Sequence, residues 1–330
     1  MDYEENGSMA NVRRKKRLLM GTGVCLLLIF APFLLKGYWV RLLTNIFMFA
    51  VLAESVNIIA GYCGYLSLGN MLFFGIGAYV EAVLMNRFGF SFYTALSLAG
   101  LGSGLFAVIV GILILRLRGH YFIMGTIALM ELLREITSNL SLTGGAQGIM
   151  LPIFPGDAAT ANLFFYYFMF CLMLICVACT FYLSKSYLGY AFCAIKLDED
   201  AASVMGINPT LYKTAAWAIS AFFTGLAGGG YAYWLSFIYP SDVYQLATSI
   251  KMYLMMILGG GGTVFGPIAG AFFIEFISEL VWGKFLDLHL LILGLILVLV
   301  VIFAPKGFMD LLQKGFSLNN LMTGIKENRA

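Results

Sequence analysis

Apolar runs separated by short polar stretches recur along almost the whole chain. They fall at about 18–35, 41–60, 71–86, 93–115, 120–139, 163–183, 212–237, 246–258, 264–283 and 288–304. A helix needs about 20 predominantly apolar residues, with a range of ~17–25, to cross a bilayer. Most of the runs meet that length, while the third and eighth are short for a full crossing. A transmembrane barrel would show ~10-residue segments of alternating polarity, and these are absent. The pattern predicts an all-α polytopic membrane protein of about ten transmembrane helices. Composition agrees: of 330 residues, 61% are hydrophobic and 11% charged, with a mean hydropathy of +0.90. Soluble domains sit nearer half apolar and a quarter charged.

The net charge of +3 matters less than where the charges sit. The run RRKKR at 13–17 precedes the first apolar run and reads as a topology signal that keeps the N-terminus in the cytoplasm, rather than as a nucleic-acid patch. The run from Leu18 to Leu35 is longer than a signal-peptide core and lacks an A-x-A site, so it is expected to be retained as a helix. With that orientation, the cytoplasmic loops and tails hold Arg13, Arg14, Lys15, Lys16, Arg17, Arg116, Arg118, Lys185, Lys196, Lys213, Lys306, Lys314, Lys326 and Arg329. The outer loops hold Lys36, Arg41, Arg87 and Lys284, a bias of fourteen against four. A shift by one run would destroy that bias. The chain is therefore expected to divide into a cytoplasmic tail (1–17), a single membrane domain (18–304) and a second cytoplasmic tail (305–330). Both termini are expected inside, with no soluble domain expected. The longest outer loop is 141–162 and the longest inner loop is 184–211.

Inside the membrane, chemistry-bearing residues are few. The six cysteines lie mostly within apolar runs; Cys176 and Cys179 form a CxxC spacing with no second pair and no nearby His, which reads as structural thiols. His120 and His289 fall at run ends. GGGGTVFG at 259–266 lacks the Lys of a phosphate-binding loop. GYLSLG around Ser67 misses the spacing of a nucleophile elbow and has no acid–base partner. Thirty-seven glycines suit close helix packing, with small-xxx-small steps at Gly100–Gly104, Gly225–Gly229 and Gly266–Gly270. Gly61, Gly64 and Gly69 differ, because they interrupt a poorly helical stretch. Irregular backbone at membrane depth survives inside protein or along a wet cavity. Residues 57–70 are thus expected beside a solute pathway, with Asn57, Ser67 and Asn70 as polar lining. Thr143, Gly144, Gly145 and Gln147 are expected at an outer gate or a binding-protein contact. Charges within runs (Glu54, Glu81, Glu131, Arg134, Glu135, Lys251, Glu275 and Glu279) should face protein or water, since a central charge costs ~2.5–3.5 kcal/mol on insertion scales. Glu131 and Arg134 are spaced to pair on one helix. Glu54 or Glu131 is the candidate to greet a solute ammonium; the plainer reading of each is an internal ion pair or a subunit contact.

The loop KLDEDAASVMGINPTLYK at 196–213 stands apart. Asp198, Glu199 and Asp200 suit the first turn of a short helix, where negative charge meets the positive end of the dipole. Ala201, Ala202, Val204 and Met205 form its small apolar body, and Gly206 suits a left-handed stop. Asn208 and Pro209 suit the cap and first turn of the next helix. A short helix is thus joined through a sharp turn to a membrane crossing.

The stretch DAASVMGI at 200–207 resembles the EAA loop of ABC-importer permeases, with Asp200 where Glu is usual. NIIAGYCGYLSLGNMLFFGIGAY (57–79), LRLRGHYFIMGTIALMELLR (115–134), SLTGGAQGI (141–149) and GGGGTVFGPIAGA (259–271) resemble the branched-chain amino-acid permease subunits in particular. Asn70 departs from a frequent His, His120 from a frequent Asp, and the fourfold Gly is richer than usual. These departures bear on the substrate more than on the family. The resemblance implies an inner- or plasma-membrane permease that performs no catalysis and binds no cofactor, ATP and Mg belonging to partner ATPases. The implied partners are a homologous second permease, two cytoplasmic ABC ATPases and a periplasmic or lipid-anchored binding protein. Asp198, Glu199, Asp200, Ala201, Ala202, Met205, Gly206 and Ile207 would form the ATPase-coupling loop. The expected cargo is Leu, Ile or Val. The same architecture would serve urea, short amides or other amino acids, and an ion-coupled carrier is a further alternative that leaves the docking helix without a purpose.

Overall fold

In the computed structural model, residues 26–282 are described, together with Gly23 and Gly294. The two tails, the tenth run at 288–304 and His289 lie outside the described residues. Most of the first run before Leu26, Cys25 included, lies outside them as well, and over the described residues the other runs are largely helical. A first segment, α1 (26–34), leads into α2 (Gly37–Val56), α3 (Met71–Phe88), α4 (Phe92–Ile114), α5 (His120–Asn139) and α6 (Ala158–Lys185). Short helices α7 (Tyr187–Leu197) and α8 (Glu199–Val204) precede α9 (Pro209–Leu235). The one-turn α10 (Pro240–Val243), then α11 (Leu246–Gly259) and α12 (Gly266–Trp282), complete the described fold.

Four of these stretches are long and apolar enough to cross a membrane by length and composition: Gly37–Tyr62, Met71–Phe88, Phe92–Ile114 and Ala158–Lys185. The others depart from that standard for visible reasons. α5 has the length but carries Glu131, Arg134 and Glu135. α9 has the length, yet its run is rich in Gly, Ala and Thr. At 14 residues, α11 is short for a crossing at 1.5 Å per residue, and the 17 residues of α12 run to the end of the continuously described stretch.

Helix α2 is the hub, packing against α6, α9, α11 and α12 and buried without a break from Ile46 to Val56. Helix α9 packs on its other side against α3 and α4. Lipid tails offer no hydrophobic drive for this association, so the backbones approach closely. A Cβ added to Gly77 would lie 2.1 Å from the Gly225 carbonyl oxygen, and one added to Gly270 would lie 1.9 Å from that of Met255. Of the expected packing steps, Gly225 also meets Ser103 of α4, while Gly100 faces Leu226 and Phe222 of α9. The peripheral α4 turns Leu98, Leu101, Leu105, Ile109 and Leu113 outward.

Contacts between loops sort them to two ends of the bundle. At one end, Lys196 Nζ donates to the Gly61 carbonyl (2.7 Å), and Lys213 Nζ donates to that of Leu115 (3.2 Å). At the other, β1 (Ile149–Met150) pairs antiparallel with β2 (Phe237–Ile238), Ile149 opposite Ile238. Asn86 there donates to the Met150 carbonyl at 2.9 Å. Alternation along the sequence groups these loops in the same way.

Overpacking at a backbone contact costs about 1–3 kcal/mol. Gly77→Ala should therefore lower the thermal midpoint of the detergent-solubilised protein by several degrees. Gly102→Ala, where nothing lies within 4 Å of the added Cβ, should leave it unchanged or raise it.

Candidate functional site

The inner-loop elbow has the local structure its residues predict. Asp198 is the N-cap of α8, its Oδ1 accepting from the amides of Asp200 (2.9 Å) and Ala201 (3.0 Å). Gly206 is left-handed at φ +86°, where a side chain would be strained. Across it the Ile207 amide donates back to the Ala202 carbonyl at 3.1 Å. Asn208 Oδ1 then accepts from Leu211 N, with Pro209 in the first turn of α9. Ala202 is buried and Ile207 packs against the core, whereas Val204 and Met205 are more than four-fifths exposed, at 88% and 83%. Ala201 and Gly206 are exposed as well.

What the loop's sequence does not reveal is how the elbow is fastened. Lys213, one turn into α9, is 1% exposed. Its ammonium donates to Glu199 Oε1 (2.8 Å), to the Tyr65 hydroxyl (2.8 Å) and to the Leu115 carbonyl, and it lies 4.2 Å above the Tyr65 ring. The Tyr65 hydroxyl donates to Glu199 Oε2. Arg118 adds a guanidinium 3.6 Å from Glu199 and 3.0 Å from Asp200. Burial works against the Glu199 carboxylate. The Lys213 and Tyr65 hydrogen bonds and the two cationic charges outweigh it and hold its pKa below the usual carboxylate value. Glu199 therefore stays ionised across the neutral range. The acids of the loop thus divide their roles: Asp198 caps, Glu199 ties α8 to α9 and to the 63–68 segment, and Asp200 reaches the α4–α5 link. Lys213, Tyr65, Arg118 and Lys196 were visible in sequence only as loop cations or as an aromatic. The one signal that could have found them was the complementary charge gathered on loops of the same side.

Beyond this knot lies the broken stretch 57–70. Residues Asn57–Tyr62 form a π-helical turn, a geometry that admits an extra residue per turn and clusters at functional sites. Asn57 folds over Gly61, where a Cβ would fall 1.9 Å from its Oδ1. That oxygen accepts from Gly262 N (2.7 Å), and Nδ2 donates to the Thr263 carbonyl (2.9 Å). Asn57 is thus wholly buried and clasps the α11–α12 glycine loop. Further on, Ser67 N donates to the Tyr253 hydroxyl (2.6 Å), Gly69 N to Thr126 Oγ1 (3.3 Å) and Met71 N to Ser249 Oγ (3.3 Å). Hydroxyls of α5 and α11 therefore replace the missing helical partners. Asn70 bridges Ser220 (3.2 Å) and Trp217 (3.3 Å) of α9. Asn57, Ser67 and Asn70 have no exposure, so in this conformation none of the three borders open space. The irregular backbone is housed inside protein at its two ends, while Gly64 and Leu66 are exposed. A recess of about 590 Å3 opens beside it, lined in part by Gly61, Gly64, Lys196 and Met256.

The other pathway candidates are dispersed. Glu54 is fully buried on α2; its carboxyl makes no hydrogen bond of ordinary geometry, with the Thr180 hydroxyl and the Asn57 amide as polar neighbours. It has no ion-pair partner among the described residues. Glu131 instead pairs with Arg134 at 2.8 Å on the outer face of α5. Thr143, Gly144, Gly145 and Gln147 occupy two 3-10 turns at the end of the bundle opposite the elbow, where Thr143 Oγ1 caps the Thr137 carbonyl at 2.7 Å. Glu275 pairs with Lys251 at 2.6 Å across α11 and α12. Among the described residues no cluster of His, Cys, Asp and Glu could hold a metal ion.

Comparison with known proteins adds an independent line. Residues 38–301 match the family model described as the permease component of the branched-chain amino acid transport system. The high-affinity branched-chain amino acid transport system permease protein LivM of Salmonella typhimurium is 30% identical over 316 residues, 88% of this chain and 74% of the relative. Its namesake in Escherichia coli is 29% identical over 332 residues, 92% and 78% of the respective chains. No solved structure matches the chain.

Removing one partner of a buried pair costs about 3–5 kcal/mol. Lys213→Met should accordingly destabilise the protein strongly. A double-mutant cycle with Glu199→Gln should return an interaction energy of at least about 1 kcal/mol, read by thermal or denaturant unfolding in detergent. Additive effects of the two substitutions would remove the knot from the account of the elbow.

Proposed function

The chain belongs to the branched-chain amino acid permease family, and on that premise we propose that it forms the membrane-spanning subunit of an ATP-driven importer for Leu, Ile and Val. It is a transport subunit of the inner membrane and not an enzyme. The observation that carries this reading is the family match over 38–301, most of the chain. In the working complex this subunit pairs with a homologous permease, two ATPases dock from the cytoplasm, and a binding protein delivers the solute to the outer end. ATP and Mg are held by the ATPases. The chain crosses the membrane ten times with both ends inside; the loop charge bias and the grouping of loops at two ends support that topology.

The elbow supports the coupling role. Val204 and Met205, with Leu197 nearby at 87% exposure, present apolar side chains outside the bilayer. Isolated exposed apolar residues are ordinary, but a contiguous patch marks a contact, and an ATPase groove is its proposed occupant. When that groove moves, α8 moves with it. The Gly206–Pro209 joint and the Lys213 knot carry the displacement into α9 and the 63–68 segment. Asn57, Ser67, Asn70 and Glu54 then act as groups near the pathway whose surroundings rearrange, while Thr143–Gln147 meets the binding protein or gates the outer end. The chain has no need of tight solute affinity, because a tight path would not release its cargo.

Proline cannot adopt the positive φ of Gly206. In proteoliposomes carrying the whole complex, Gly206→Pro should abolish ATP-driven leucine uptake while membrane insertion and basal ATP hydrolysis persist. Undiminished uptake would count against the docking role. Val204→Asp with Met205→Asp should cut ATPase co-purification at least about tenfold, the effect of burying an unpaired charge. Leucine uptake that collapses with the proton or sodium gradient at constant ATP would instead favour the ion-coupled carrier.

A further inference from the structure

Helix α5 is unlike every other long helix of the bundle. It buries a narrow line, Phe122, Thr126, Met130 and Thr137, against its neighbours. On its outward side Glu131, Arg134, Glu135, Ser138 and Asn139 recur at helical spacing, a polar stripe running from mid-helix to the outer loop. Arg134 lies 2.8 Å from Glu131 and 3.5 Å from Glu135, and the side chains of Glu131, Arg134 and Glu135 are 40%, 38% and 64% exposed. At 20 residues α5 spans about 30 Å, which puts Glu131 about 16 Å from its start, near the membrane centre.

Hydrocarbon is an unsuitable neighbour for that stripe. A central charge costs ~2.5–3.5 kcal/mol even on the mildest scales, and here three sit on one face. The same protein shows what its lipid surface looks like: the outward side of α4 is Leu98, Leu101, Leu105, Ile109 and Leu113. Its other mid-helix acids, Glu54, Glu81 and Glu275, are buried. The stripe also changes character with depth. Below Glu131 the same face continues as Ala128, Ile127 and Met124, and Met124 is 68% exposed. Polar wall thus gives way to apolar wall at mid-membrane.

We infer that this face of α5 is the chain's own wall of the translocation path, wetted from the outer end as far as Glu131, where the ion triad receives the charged end of a zwitterionic amino acid. The inference rests on the permease function proposed above, which supplies the second subunit across the water. The triad holds one carboxylate in excess. The more weakly held Glu135 pairs with the solute ammonium, and Arg134 meets its carboxylate. The branched side chain lies against Ala128 and Met124, so a solute with a charged head and an apolar tail matches the change in the wall.

The test uses the full complex in proteoliposomes, with this chain's native cysteines replaced by alanine. Single cysteines are placed at Glu135, Asn139 and, as a lipid-facing control, Leu105. A membrane-impermeant thiol reagent added from the side opposite the ATPases should label Glu135→Cys and Asn139→Cys at least about tenfold faster than Leu105→Cys, the contrast between wet and lipid-covered thiols. Equal labelling of all three, or none on α5, overturns the wet wall even if ATP-driven uptake is normal. Arg134→Gln and Glu135→Gln should each lower leucine uptake about tenfold, the loss of one charge-assisted contact. Co-purification of the subunits and stimulation of ATP hydrolysis by the loaded binding protein should be retained. Unchanged uptake in both overturns the solute contact. A wild-type complex with no ATP-driven uptake would sink the permease function itself, and labelling would still decide the wall.

Discussion

The Lys213 ammonium is almost entirely removed from water, and the arrangement of the elbow follows from satisfying it. An isolated buried ammonium would be prohibitive. Three acceptors from three parts of the chain converge on it: a carboxylate from α8, a hydroxyl from the segment after the π-turn and a carbonyl from the end of α4. None of these can move far without leaving the charge unpaired. The consequence is mechanical. The short helix α8 would otherwise be a surface feature joined to α9 through Gly206. With the ammonium at the centre, it becomes part of one block with α9 and the 63–68 segment.

That block takes in part of the stretch where the helices are broken, through Tyr65. Backbone at membrane depth has to find hydrogen-bond partners within the protein. Between Asn57 and Met71 it finds them in side chains of other elements: Tyr253 and Ser249 from α11, Thr126 from α5. The Asn57 amide, in turn, satisfies the glycine loop between α11 and α12. Bonds of this kind depend on the relative position of four elements, unlike the bonds inside a continuous helix. The broken segment is therefore joined to α5, α11 and the α11–α12 loop by hydrogen bonds and not merely by contact.

The outer surface is divided by the same energetic rule. Along most of α4 the outward side chains are apolar, with Leu98, Leu101, Leu105, Ile109, Ile112 and Leu113 exposed. The outward face of α5 carries Glu131, Arg134 and Glu135 instead, and charges of that kind at membrane depth would call for water or protein around them. The ion pair between Glu131 and Arg134 moderates that exposure without removing it.

Much of this was legible in the chain. Run length and polarity sufficed for an all-α membrane fold, and the alternation of loops anticipated which of them share an end. The elbow at 198–209 was readable residue by residue. N-cap, left-handed glycine and Asn-Pro start are local devices whose partners lie within five positions. Gly225 and Gly270 marked close packing because a missing side chain is visible in sequence. Tertiary structure alone decided the rest. Asn57, Ser67 and Asn70 read as lining because polar residues in an oily run need an explanation. The structure gives Asn57 and Asn70 partners 147 to 206 residues away, while the buried Ser67 hydroxyl has no partner among the described residues. Lys213 read as a topology charge, since nothing near it in sequence shows that it is buried. Local hydrogen bonds are written in spacing; which distant groups converge on one buried charge is set by how the helices pack.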